Sequence, residues 1–262
     1  MSTREALIAR LGATGKYGAL TPPVLGWAVG WAMQRAQGEK AILKLARRKL
    51  HQAFGAFLDA PSRKRALRLL TAARDAQDDE EWRAALRAVV AEHASTAERA
   101  DPAALWTVLQ RSIGPVRSVL DLGCGLAPAQ LPFTGLDPQT AYTGVDLDVV
   151  LCAALQEALQ PRWPAVRVVP GEVRSGGPWP ASDVALLGKL VTTLERQQAG
   201  AAAALLDRLD ATWVVATFPT RTLSGRDRGM HQTNAALAER LLPGGTTATV
   251  GDELVRWARR SV

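Results

Sequence analysis

Cysteine is scarce in this 262-residue chain: Cys124 and Cys152 are the only two, too few for a disulfide framework or a cysteine-rich zinc site. Long apolar runs are missing as well. The hydrophobic fraction is 47%, yet no uninterrupted stretch approaches the roughly 20 apolar residues that span a bilayer. The opening Met1-Ser2-Thr3-Arg4-Glu5-Ala6 has an acid and a base ahead of any apolar segment and lacks the core of a secretory signal. No internal repeat of fixed period occurs. The expectation is a soluble protein of a reducing cytoplasm, with no membrane partner and no metal site. The length suffices for one substantial core and a smaller satellite.

Acidic residues are also rare in the first part of the chain. Residues 1–74 hold 14 Lys/Arg against 3 Asp/Glu, and residues 75–100 hold 3 against 7. Residues 101–262 have 15 of each, so the whole net charge of +7 lies before residue 101. Such a concentration is the electrostatic footprint of a polyanion-binding face, with nucleic acid as the first candidate.

Two stretches display that charge. From Gly38 to Leu58, Ile42, Leu45, Ala46, Leu50, Ala53, Phe54 and Phe57 follow helical spacing. Lys40, Lys44, Arg47 and Arg48 fall at i, i+4, i+7 and i+8 and make one basic stripe. After Pro61, Arg63-Lys64-Arg65-Ala66-Leu67-Arg68 opens a second basic helix. Taken singly, either cluster reads equally as a solvated helix face.

The acidic Asp78-Asp79-Glu80-Glu81 suits the positive end of a helix running through Trp82, Leu86, Val89 and Val90. Asp101-Pro102 reads as the cap and first residue of a helix ending near Gly114. From Arg117 onward apolar segments alternate with helical ones. Residues 118–122, 142–147, 166–169, 184–187 and 213–218 read as strands, with helices over 149–160 and 195–209. Residues 248–250 and 253–258 would finish the sheet as an antiparallel pair. This is an α/β pattern with a mostly parallel, seven-stranded sheet, preceded by a helical N-terminal domain, divided as 1–100 and 101–262.

The densest signal is Val119-Leu120-Asp121-Leu122-Gly123-Cys124-Gly125, an apolar strand ending in a glycine turn. A second strand ends in acid at Gly144-Val145-Asp146-Leu147-Asp148. In a doubly wound sheet the first turn lets backbone approach a ligand, and the later acid grips ribose hydroxyls. The bland alternative is a tight turn without a ligand. A dinucleotide fingerprint needs a third glycine where this chain has Pro128. The shorter Asp-x-Gly-x-Gly form resembles motif I of S-adenosylmethionine-dependent methyltransferases.

Four segments in order extend that likeness: His93-Ala94-Ser95-Thr96-Ala97-Glu98-Arg99, the motif I run, Lys189 followed by Leu194-Glu195-Arg196-Gln197-Gln198-Ala199-Gly200, and Phe218-Pro219-Thr220-Arg221-Thr222-Leu223-Ser224-Gly225-Arg226. Together they resemble the aminoglycoside-resistance 16S rRNA guanine-N7 methyltransferases over nearly the whole chain. The resemblance implies a Rossmann-like methyltransferase domain behind a helical extension that docks on the assembled 30S subunit. It implies S-adenosyl-L-methionine as cofactor, with contacts from Phe57, His93, Ala94, Ser95, Arg99, Gly123, Gly125, Asp146, Glu172, Val173, Lys189 and Gln197. Arg99 suits the methionine carboxylate, because a guanidinium binds carboxylates bidentately. Asp146 would accept both ribose hydroxyls. Glu172-Val173 stands where the family usually has Asp-Val beside the adenine.

Lys40, Lys44, Arg47, Arg48, Arg63, Lys64, Arg65, Arg68, Arg221, Arg226, Arg228 and Met230 are the expected rRNA contacts. Trp106, a second candidate for the extruded base, reads better as core. Guanine N7 has a lone pair and no proton, so the resemblance implies a reaction governed by positioning, with no general base. A monomer suits so large and rigid a target. Two alternatives stay open: an adenine N1 rRNA methyltransferase, and an RNA-binding protein with a vestigial pocket. The second would be expected to have lost Asp146, Gly125 or Arg99, and all three are present.

Overall fold

A computed structural model describes residues 3–13, 17–54, 60–92, 96, 101–220 and 230–260. Three helices come first: α1 (Thr3–Gly12), α2 (Pro22–Met33) and α3 (Glu39–Phe54). Helical spacing in the sequence points only to the third. Prolines at the start of α2 are tolerated because the first-turn N–H groups have no helical partner. Leu7, Leu11, Val24, Val29, Leu43 and Leu50 bury one another in a separate apolar cluster.

Helices α4 (Ala60–Asp75) and α5 (Asp79–Ala91) follow. Asp78 caps α5 by accepting from the Glu81 N–H, and Asp79, Glu80 and Glu81 complement its positive end. These two helices do not share the core of α1–α3. Ala66, Leu70, Trp82 and Leu86 join the cluster on one face of the sheet, and the Trp82 indole donates to the Ala158 carbonyl at 2.8 Å. Helix α6 (Pro102–Ile113) begins on the Asp101 cap and ends at Gly114, whose φ of 83° is left-handed. Trp106 is 4% exposed and belongs to the core.

The sheet comprises β1 (Ser118–Leu122), β2 (Ala141–Asp146), β3 (Val166–Pro170), β4 (Ser182–Gly188), β5 (Ala211–Pro219), β6 (Thr246–Val250) and β7 (Glu253–Arg259). Its order is β3-β2-β1-β4-β5-β7-β6. The first five are parallel, and β7 runs antiparallel to both β5 and β6. All seven strands lie where the alternation of apolar segments puts them.

Alternate residues along each strand serve opposite faces. Val119, Val184 and Leu186 pack toward α4, α5, α6 and α7 (Val149–Leu159), whereas Leu120, Ala185 and Leu187 pack toward α8 (Leu190–Gln197), α9 (Ala201–Leu206) and α10 (Met230–Leu241). The single helix expected over 195–209 is two. Gln198 is extended and Gly200 has φ 80°, which breaks the helix. The Glu195 carboxylate then receives the N–H groups of Gly200 and Ala202 at 3.1 and 3.0 Å. Among the described residues no helix is long and apolar enough to cross a membrane.

Candidate cofactor site and rRNA-docking face

The chain runs from β1 outward to β3, then returns to place β4 on the other side of β1. That reversal opens a crevice outside the carboxyl ends of β1 and β4, the usual ligand position in such sheets. Gly123 and Gly125 follow β1, Lys189 follows β4, and Asp146 ends the neighbouring β2.

Gly123 and Gly125 have φ of 68° and 51°, a region that favours glycine. A Cβ on Gly123 would lie 2.9 Å from Leu190 Cδ1, so the turn is closely packed from behind. The N–H groups of Gly123 and Cys124 both donate to the Val145 carbonyl, which fixes the turn against β2. Tyr142 hydroxyl donates to buried Asp121 and holds the carboxyl end of β1. Burial raises the pKa of the Cys124 thiol well above normal and pushes that of Cys152 up to about 12, so neither is a ready nucleophile.

Asp146 closes β2. Its Oδ2 receives the Gly125 N–H at 2.9 Å, and Oδ1 receives Leu147 and Asp148 N–H at 2.7 and 3.2 Å. Burial pushes its pKa up, opposed by those same backbone donors. A carboxylate has roughly four acceptor positions; three are filled, leaving one on Oδ2. The free position faces the side on which the expectation places an adenosyl ribose.

Glu172 is held within its own turn. Oε1 receives the backbone N–H and Nε of Arg174 at 3.1 and 2.7 Å, and Oε2 receives the N–H and hydroxyl of Ser175 at 2.9 and 2.6 Å. Every acceptor position is occupied from within the 172–176 turn. Burial raises its pKa, but the hydrogen bonds from Ser175 and Arg174 outweigh burial and hold it below the usual carboxylate range. Adjacent Val173 is buried in the core cluster beneath the turn.

Lys189 is the one described non-glycine residue with positive φ, at 55°. Its N–H donates to the Thr217 carbonyl and hydroxyl, and its ammonium lies 3.5 Å from Glu253. Gln197 ends α8, two turns from the crevice, and its carbonyl receives Lys49 Nζ at 3.5 Å. The structure thus brings Gly123, Gly125, Asp146 and Lys189 together and leaves Gln197 apart. Phe57, His93, Ala94, Ser95 and Arg99 lie outside the described residues.

Of the basic clusters, Lys40, Lys44, Arg47, Arg48, Lys64, Arg65 and Arg68 are exposed. Arg63 is half-buried and bidentate on Asp148, whereas exposed Arg65 donates to both oxygens of Glu92 at 3.0 and 2.9 Å. Arg221, Arg226 and Arg228 lie outside the described residues, as does the side chain of Met230 at the start of α10. Sequence reasoning passed over Trp27, Trp31, Lys49 and Arg174, which meet where α2 and α3 approach the 172–176 turn. The spacing of Trp27 and Trp31 on a Pro-capped helix was the available signal.

A Rossmann-like sheet with this glycine turn, an acid closing β2 and no third glycine defines an S-adenosylmethionine-dependent methyltransferase. A family model described as ribosomal RNA methyltransferase (FmrO) matches residues 13–246. The chain belongs to that family and is an rRNA methyltransferase. It is 34% identical to a 16S rRNA (guanine(1405)-N(7))-methyltransferase of Micromonospora echinospora over 83% of this chain and 81% of the relative. A relative of the same name from Serratia marcescens is 33% identical over 97% of both chains. Among solved structures, the 16S rRNA methyltransferase RmtF in complex with S-adenosyl-L-homocysteine superposes with a TM-score of 0.82 at 33% identity, covering 100% of this chain and 99% of that one. The 16S rRNA methylase RmtB gives 0.77 at 27% identity, covering 100% of both.

Proposed function

We propose that the chain methylates N7 of a decoding-site guanine in 16S rRNA of the assembled 30S subunit, in the cytoplasm and as a monomer, and so gives aminoglycoside resistance. The observation that carries this reading is the match to the Serratia marcescens enzyme, which spans 97% of both chains and so includes the basic helices as well as the cofactor crevice. In this reading residues 1–100 carry the docking function and 101–262 the chemistry, with α4 and α5 packed into the catalytic unit.

S-adenosylmethionine, when bound, supplies an electrophilic methyl group on sulfonium sulfur. Gly123 and Gly125 admit it against main chain, Asp146 accepts the ribose hydroxyls, and Arg99 holds the carboxylate. Glu172 shapes the adenine side by folding its turn. No residue is assigned as general base, because guanine N7 gives up no proton on methylation. The chain's task is to bring the extruded base into line and exclude competing positions. Arg221, Arg226 and Arg228 are proposed to hold the backbone around that base, and Met230 to contact it. Exposed Lys40, Lys44, Arg47, Arg48, Lys64 and Arg68 are proposed as the docking face.

The test incubates the protein with labelled S-adenosylmethionine and intact 30S subunits, then cleaves the rRNA with borohydride and aniline at N7-methylguanine. A single cut in the decoding region is the expected result. Incorporated label without a cut would overturn the assignment of the atom and favour adenine N1.

A further inference from the structure

Three cations and two indoles form a ladder where the N-terminal helices meet the methyltransferase sheet. Arg174 lies over Trp27 at 3.9 Å from the ring centroid; Lys49 is over both Trp27 and Trp31 at 5.2 and 4.8 Å; Arg35 is over Trp31 at 4.6 Å. Trp27 and Trp31 are one turn apart on α2, Lys49 comes from α3, and Arg174 from the turn after β3. Arg35 also grips the end of α2 by donating to the Trp31 carbonyl at 3.1 Å.

The charge in this ladder is not balanced. Glu172, bonded to Arg174 Nε at 2.7 Å, is the acid paired with it. The Arg174 side chain is 10% exposed, and its Nη1 and Nη2 have no hydrogen-bond partner among the described residues. A buried donor without an acceptor is costly, more so when charged. Burial lowers the pKa of Lys49, and the positive charges of Arg174 and Arg35 lower it further. The cations thus repel one another, and the ring faces offset only part of that repulsion. Arg35 is exposed and Lys49 half-buried, so the outer part of the ladder is open to a ligand.

We infer that the Arg174–Trp27–Lys49–Trp31–Arg35 ladder is a binding track for the phosphodiester backbone of the substrate RNA. Lys49 and Arg35 contact successive phosphates and supply the excess positive charge, while buried Arg174, paired with Glu172, braces Trp27 from beneath. This rests on the reading above that the chain acts on RNA, and it adds residues from the seam between the docking helices and the cofactor domain. The indoles space the cations and shield them from one another. A strand lying on the track would pass beside the Glu172 turn.

The experiment measures binding of the full chain to intact 30S subunits over a salt series, for wild type, K49A, K49R and R35A, with melting temperature as the check on folding. Each lost phosphate contact should reduce the slope of log affinity against log salt by about 0.7–0.9. K49A and R35A are expected to show that reduction and a several-fold loss at low salt, with K49R near wild type. Slopes equal to wild type in folded variants would overturn the inference and leave the proposed function standing. If wild type itself fails to bind subunits, the proposed function falls, and titration with inorganic pyrophosphate, read by tryptophan fluorescence, decides the ladder. Binding that K49A loses would support it, and no binding would overturn it.

Discussion

Arg63 donates twice to Asp148, Nε to Oδ2 at 2.5 Å and Nη2 to Oδ1 at 2.8 Å, and so ties α4 to the loop just after Asp146. Asp148 also caps α7 through the Leu151 N–H. The same loop receives the N-terminal region: Thr21 donates to the Leu147 carbonyl and Val149 to the Ala19 carbonyl. Asp146, proposed to bind the ribose, is therefore two positions from a junction holding both groups of helices.

R63A is expected to lower unfolding free energy by about 1–3 kcal/mol, because a partly buried charged acceptor loses its bidentate donor. Urea denaturation measures it. A change within about 0.5 kcal/mol, the range of an ordinary surface substitution, would mean that Arg63 is a surface cation after all.

The neighbours Lys64 and Arg68 should behave in the opposite way. Both are exposed, so K64E with R68E leaves stability within about 1 kcal/mol and weakens 30S binding, with a shallower salt dependence. Filter binding at two ionic strengths distinguishes this from an unchanged affinity, which would remove α4 from the docking face.

D146A is expected to reduce S-adenosylhomocysteine affinity at least tenfold, about 1.4 kcal/mol, and D146N by less. Calorimetry on folded protein reads this directly. The Gly125 turn should loosen as well, since its N–H loses the Oδ2 acceptor. Equal affinity in a folded D146A variant would remove Asp146 from the ribose.

Glu172 supplies a pH prediction with a definite sign. Its pKa in the folded protein lies below the usual 4.5. The stability it contributes is thus present above 4.5 and is lost as pH falls through the lower, folded value. E172Q should flatten the acid side of the stability curve and leave the neutral side lower, because the Arg174 and Ser175 donors lose a charged acceptor. An acid limb identical to wild type would show that the Glu172 network adds nothing to folding.

Much of the fold was legible because its signals are local. Strand alternation, the Asp78 and Asp101 caps and the Gly114 stop all act within a few residues, and each element stands where they put it. The break at Gly200 was missed because Ala201–Ala204 reads as strong helix, while the capping of the next helix by Glu195 depends on a side chain folding back. Helices α1 and α2 carry little amphipathic pattern and were passed over. The placement of Gly123, Gly125 and Asp146 at the ends of β1 and β2 was legible from spacing alone. The partners of Glu172 were not, because they are set by the turn's conformation.

The sequence by itself determined the α/β pattern, the methyltransferase glycine turn with its distant acid, and the placement of all net positive charge before residue 101, since each is a property of residue order and spacing. Only the tertiary structure decided which charges are displayed and which are spent internally. Arg63 and Lys64 are neighbours in the chain, yet one is bidentate on Asp148 and the other faces solvent. The physical reason is that an ion pair between residues 85 positions apart forms only when packing brings α4 onto α7, and no local pattern encodes that approach.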